Sequence, residues 1–377
     1  MKLYEYAARR LFLMLFVLFA VSLIVFYLAR GPLPPEAALA PYITPRMSNA
    51  AKLQLAVSLG VASNSCPSWS ALTSHQGSCI VPLWGQYFGW LQNIFAGRWG
   101  YSLLPGISGG TTLTWDVFAS RFPYTAELAL AGSVLTVVVA LPLGIVSATR
   151  NNKLPDHLSR IVALLGYSMP IFWLGFLLQL AFGVYVSIPR GPFSLGLLPT
   201  NGPLSSTCGV CFNDPGEVIP YTGAPLVDSI LSGNFRYFWD SLVSLILPTI
   251  TLSFSSLGAL TRVVRSSMME VLRQDYILLA RSKGLKERVV IYRHALRNAL
   301  LPAITIAGLI FAFLLGGVII VENIFSWPGI GQAALSATFA FDVNFLELYI
   351  LVTALIIVVA NLGVDILYAV LDPRIRY

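Results

Sequence analysis

An all-α membrane protein is predicted, with six transmembrane helices, both termini on the cytoplasmic side and two large extracellular loops. Three observations lead there. The composition is 56% hydrophobic and only 11% charged, with a mean hydropathy of +0.74, where a soluble domain carries about 25% charged residues. Six uncharged stretches suit the roughly 20 helical residues that cross about 30 Å of hydrocarbon. Of the 24 Lys and Arg residues, 17 fall on one side of the resulting path, which the positive-inside rule makes cytoplasmic. The formal charge of +7 is mostly this topology signal and calls for no nucleic-acid partner.

The first stretch, Leu11–Ala29, reads as a retained helix rather than a cleaved signal peptide. It is long for an h-region, and Ala29-Arg30-Gly31 is a poor small-x-small cleavage site. Residues 31–122 form a long outer loop. Within it Trp84, Tyr87, Phe88 and Leu91 suit a helix lying against the membrane or packed on the core, and Val61–Val81 is rich in Ser, with a Pro and an Asn. The second crossing is Leu128–Thr149 and the third Ile161–Pro189. Pro170 is expected to break the third near its first turns, since proline frees backbone groups that the bundle must satisfy; Pro142 and Pro248 do the same in the second and fourth. Pro189–Trp239, rich in Gly, Pro, Ser and Asn, is a second, irregular outer loop. Ser241–Thr261, Asn298–Val321 and Leu348–Val364 complete the six.

Cys66, Cys79, Cys208 and Cys211 all fall in outer loops, which points to disulfides in an oxidising space. Four cysteines allow three connectivities, and spacing does not choose among them. Zinc is the competing reading, because Cys208-x-x-Cys211 is a common half-site, although the wider spacing of the other pair matches less well.

The inner loop after the fourth crossing carries Arg281, Lys283, Lys286, Arg288, Arg293, His294 and Arg297. At helical spacing Leu285, Val289, Tyr292, Leu296 and Ala299 share one stripe, and Lys286, Arg293 and Arg297 another. Met268, Leu272, Tyr276 and Leu279 make a second apolar stripe upstream, with Gly284 between the two helices where a left-handed break costs least. Such a pair suits either a surface of anionic membrane lipid or a partner protein.

Ala280-x-x-x-Gly284, nine residues, then His294-x-Leu296 with Pro302 opening the next apolar segment resembles the cytoplasmic loop of binding-protein-dependent ABC importer permeases. The closer forms ARSKGL and HALRNALLP resemble the dipeptide/oligopeptide branch. The resemblance implies a type I ABC importer transmembrane domain in which Ala280, Gly284, Leu285, His294, Arg297, Asn298 and Pro302 belong to a coupling helix seated in a groove of an ATPase subunit. Leu278 and Leu279 stand where the broad pattern has Glu-Ala, a departure that the oligopeptide branch shares. Glu322-x-x-Phe325-x-x-Pro328-Gly329-x-Gly331 resembles the family's turn at the outer mouth. The resemblance covers nearly the whole chain except the two cysteine-bearing inserts. It implies two regions: 1–122, the first helix plus its outer loop, and 123–377, the permease core with coupling loop 262–298.

No lysine follows a glycine, so no P-loop exists here. The chain is therefore expected not to be an enzyme and to hold no metal or cofactor. The resemblance implies that ATP and magnesium are bound by one or two ABC ATPase subunits, which would act beside a homologous second permease and an extracellular substrate-binding protein at the plasma membrane. His75, His157 and His294 lie in separate loops, which favours neither a histidine metal site nor a Ser-His-Asp triad. Asp365 is the main ionisable residue placed within a span. Gln179, Ser253, Thr305 and Asn361 either line a path or bond between helices. The implied activity is import of di- or oligopeptides by alternating access. Oligosaccharides are the alternative cargo, favoured slightly by tryptophans near the outer mouth. An ion-coupled secondary transporter would be expected to show inverted repeats or several buried midplane charges, and neither is seen.

Overall fold

The computed structural model describes residues 3–31, 39, 43, 46–58, 60–74, 79–104, 112–184, 198–200, 202 and 221–371. Cys208, Cys211, His75 and the side chain of Asp365 lie outside the described residues. In chain order the elements are α1 (Leu3–Arg30), α2 (Asn49–Ser58), α3 (Trp69–Thr73), α4 (Leu83–Phe95), the short strands β1 (Tyr101–Ser102) and β2 (Thr112–Leu113), and α5 (Thr114–Thr149). Then come α6 (Leu154–Ser168), α7 (Ile171–Gln179), α8 (Pro225–Leu231), α9 (Phe235–Val271), α10 (Asp275–Ser282), α11 (Glu287–Leu315), α12 (Ile319–Ile324), α13 (Ile330–Ala340) and α14 (Val343–Leu371).

Among the described residues five helices, α1, α5, α9, α11 and α14, are long and apolar enough to cross a membrane, and the sharply bent pair α6–α7 brings the number to six if it is counted as one span. The third crossing differs from expectation. Pro155 in its first turn, where its missing N–H is no loss, lets the helix begin at Leu154. The break at Met169-Pro170 then falls after fifteen helical residues and bends the pair by 99°. Met169 is extended (φ −82°, ψ 121°), the conformation that a following proline imposes. Pro142 and Pro248 sit inside α5 and α9 without ending them.

Two compact units divide the chain. One comprises Met1–Leu11, Arg121–Gln332 and Ile356–Tyr377. Its core sets Leu257, Leu260, Val264 and Met268 of α9 against Ala140, Ile145 and Ala148 of α5 and the small residues Ala295, Ala299 and Ala303 of α11. Small side chains let helices approach closely where lipid supplies no hydrophobic drive between them.

The other unit comprises Phe12–Ser120 and Ala333–Leu355. Here α4 buries Tyr87 and Trp90 against Phe26, with the Phe26 and Tyr87 rings edge to face at 5.3 Å, and leaves Trp84 and Phe88 exposed. Trp90 Nε1 donates to Glu347 Oε2 at 2.7 Å and Arg30 Nε to Oε1 at 3.3 Å, so this buried carboxylate is paired and bonded. The insert that includes Val61–Val81 builds its own small core, with Leu39, Ala56, Val61, Ala71 and Leu72 around a Cys66–Cys79 disulfide. That bond selects one pairing and leaves neither sulfur as a zinc ligand.

Candidate functional site

The loop that follows α9 is two helices folded back on the core. After α9 the chain turns at Arg273 and Gln274, which resets the helical register before α10. The buried face of α10 is therefore Ile277 and Ala280, three apart. The predicted stripe through Tyr276 and Leu279 is exposed, at 41% and 57%. Gly284 takes φ +74° with nothing near a would-be Cβ, so the reversal needs glycine for its backbone rather than for space. Gly284 N bonds Arg281 O at 2.9 Å and Leu285 N bonds Ala280 O at 3.4 Å, closing the helix end. Arg281 straps the turn from outside, its Nη2 and Nε donating to Glu287 at 2.7 and 3.2 Å.

The first turns of α11 contain a π segment, Val290–Ala295. Its i→i+5 bonding adds one residue to a turn. The buried positions are Val290, Ala295, Ala299 and Ala303, the first step being five. Of the predicted 4-3-4-3 stripe, Ala299 is buried and Val289 and Leu296 are half-buried, while Leu285 and Tyr292 are exposed. Asn298 Nδ2 donates to the Tyr276 hydroxyl at 2.8 Å and ties α11 to α10. Of the sequence-predicted residues, Ala280 is buried, His294 half-buried, and Gly284, Leu285, Arg297, Asn298 and Pro302 are exposed. The loop thus presents Tyr276, Leu278, Leu279, Leu285 and Tyr292 among Arg281, Lys283, Lys286, Arg288 and Arg293, on a base anchored in the core.

The second motif is a turn wrapped around one carboxylate. Glu322 is fully buried; its Oε1 accepts from Thr125 Oγ1 at 2.9 Å and its Oε2 from Gln332 N at 2.8 Å. Ile330 N donates to Thr125 Oγ1 at 2.9 Å, and Trp327 Nε1 to Tyr124 O at 3.0 Å. A methyl at Gly329 would stand 2.5 Å from Glu322 Cδ, and one at Gly331 2.9 Å from Glu322 Oε2, so both glycines make room for the carboxylate. Burial pushes the Glu322 carboxyl above its ordinary value, and the donors from Gln332 and Thr125 oppose that rise. Glu322, Gly329 and Gly331 thus come together, with Pro328 half-buried at the turn.

A third cluster escaped the sequence reading. Asp156, fully buried, accepts from Ser147 Oγ at 2.5 Å, Asn152 N at 2.9 Å, Arg160 Nη2 at 3.1 Å and Arg265 Nε at 2.9 Å. The i,i+4 spacing of Asp156 and Arg160 was a visible signal; Arg265, on α9, offered none. Ser253 and Thr305 bond carbonyls of their own helices, and Gln179 Nε2 reaches Ile324 O at 3.0 Å. Asn361 Oδ1 is buried without a partner.

Residues 140–377 match the family described as "Binding-protein-dependent transport system inner membrane component". The chain belongs to this family. That span covers the inner loop, the Glu322 turn and the Asp156 cluster. The chain is 38% identical over 311 residues to a di/tripeptide transport system permease protein of Pseudomonas aeruginosa, covering 82% of this chain and 86% of the relative. It is 38% identical over 296 residues to the dipeptide transport system permease protein of Escherichia coli K12 (78% and 82% covered). It is 35% identical over 296 residues to an oligopeptide transport system permease protein of Bacillus subtilis (78% and 81% covered). Membership makes the chain a multi-pass membrane permease component of a type I ABC importer.

Proposed function

We propose that the chain is the permease subunit of an ATP-driven importer that moves di- and oligopeptides by alternating access. The relatives' names support the peptide cargo; of the tryptophans near the predicted outer mouth, Trp84, Trp115 and Trp239 are exposed and Trp90 and Trp327 buried, a distribution that does not single out sugars. The observation that carries the mechanism is the inner loop. Exposed aromatic and leucine side chains ringed by cations fit an apolar groove with an acidic rim on an ATPase subunit. Because Ile277, Ala280, Val290 and Ala295 are locked into the same core as α5 and α9, a push on the loop is transmitted to the spans rather than absorbed locally. ATP and magnesium act on the ATPase subunits; Gly284 and the Arg281–Glu287 strap keep the contact face in shape. The basic side is then cytoplasmic, and the Glu322 turn faces outward, toward a docked substrate-binding protein.

Affinity purification from native membranes is expected to bring down a P-loop ATPase and a second permease. Calorimetry of the accompanying binding protein is expected to give heat with a mixed peptide pool and none with cello- or xylo-oligosaccharides. Heat with sugars alone would overturn the peptide cargo, and a transport-competent particle made of this chain only would overturn the assembly.

A further inference from the structure

Beside Asp156, helices α5, α6 and α9 enclose a cavity of about 240 Å³. Ser147, Arg160, Thr261, Arg262 and Arg265 line it, with Leu164 on its apolar side. Arg160 and Arg265 share the single carboxylate of Asp156. Arg262 lies over the Tyr167 ring, 5.4 Å from its centroid, and has no carboxylate partner among the described residues. The site therefore holds three guanidinium groups against one carboxylate. Two buried polar atoms of lining residues also lack partners: Thr261 Oγ1, on a residue only 2% exposed, and Arg160 Nε. Buried donors left unmade are costly and uncommon, and both would be satisfied by an anionic oxygen in this cavity.

We propose that the cavity binds a phosphate group, and that the phosphate is the headgroup of an anionic phospholipid. Inorganic phosphate shares the recognition chemistry: a hydroxyl and planar guanidinium donors converging on anionic oxygens. The surroundings favour the lipid. Leu164, which lines the cavity, is exposed, and Leu158, Ile161 and Leu165 of the same helix are exposed as well, giving acyl chains an apolar helix surface that begins at the cations. A basic pocket between helices, on the side of the membrane that carries most of the basic residues, is where anionic headgroups gather. Bound there, the lipid would bridge α6 and α9 at the clasp that holds them.

The test uses the full chain with its native partners in nanodiscs of phosphatidylcholine and phosphatidylglycerol, re-extracted and weighed by native mass spectrometry. Wild type is expected to retain phosphatidylglycerol over phosphatidylcholine by about 10-fold, and Thr261→Val and Arg262→Gln each to erase about 10-fold of that preference. Thr261→Val, which removes an unpaired buried hydroxyl without changing shape, is expected to keep or raise the melting temperature, so lipid loss there cannot be misfolding. A second arm titrates inorganic phosphate into discs of phosphatidylcholine alone. Tight phosphate binding without lipid retention would overturn the lipid source. Equal retention of both lipids by wild type with no phosphate binding, or unchanged retention in either variant, would overturn the site. The readout is lipid mass, so it stands apart from the peptide reading.

Discussion

At the scale of single residues, buried carboxylates organise this protein, and Glu322 shows how closely the backbone is fitted to one. Gly329→Ala places a methyl against Glu322 Cδ and Thr125 Oγ1. Overpacking of that kind costs about 1–3 kcal/mol, and a lowered melting temperature in detergent is the expected result. Glu322→Gln tests charge rather than shape. Its raised folded-state value means that the native protein binds this proton more tightly than the unfolded chain. The stabilising contribution is then present below the unfolded value and lost as pH rises through the raised one. Wild type is expected to lose thermal stability across that rise, and Glu322→Gln to give a flatter profile. Parallel profiles would show that the carboxyl stays ionised throughout. Glu127 and Glu347 escaped notice as buried charges because each sits one residue before an uncharged stretch, at Leu128 and Leu348; the helices begin earlier and take both inside.

At the scale of elements, the loop between α9 and α11 is set by two irregularities, a glycine and a π segment. Gly284→Val meets no neighbour but must hold φ near +74°, a strain of about 1–2 kcal/mol. Membrane insertion and folding are expected to survive while substrate-stimulated ATP hydrolysis of the assembled importer falls. Unchanged stimulation would separate the loop from coupling. The glycine was legible because few other residues accept that turn. The π segment was not, since an inserted residue leaves no mark on a 3.6-residue period, and so the predicted stripes named Leu285 and Tyr292 as the buried back where the fold buries Val290 and Ala295.

At the scale of the molecule, the Asp156 clasp ties the α5–α6 turn to α9. Asp156→Asn would leave the partly exposed Arg160 and Arg265 facing a neutral amide, a loss of about 1–3 kcal/mol from the charge-assisted hydrogen bonds. The expected outcome is a sharp fall in the yield of folded, partner-bound complex, with Arg160→Gln milder because Arg265 still pairs with the carboxylate. Equal yields from Asp156→Asn and wild type would mean that the clasp is dispensable.

Hydropathy and local motifs determined the stretches able to span and the position of the loop between α9 and α11, because a bilayer demands about 20 apolar residues per crossing whatever the packing. The break between two apolar stripes also marked Gly284, whose constraint is local to the backbone, and the family resemblance marked the Glu322–Gly331 turn. Only the tertiary structure decided which cysteine meets Cys66, which arginine on α9 reaches Asp156, which donors reach Glu322 and Glu347, and how far α6 bends from α7. Those outcomes depend on groups distant in sequence meeting in a low-dielectric interior, where a buried charge must find a partner. No periodicity along the chain encodes who that partner is.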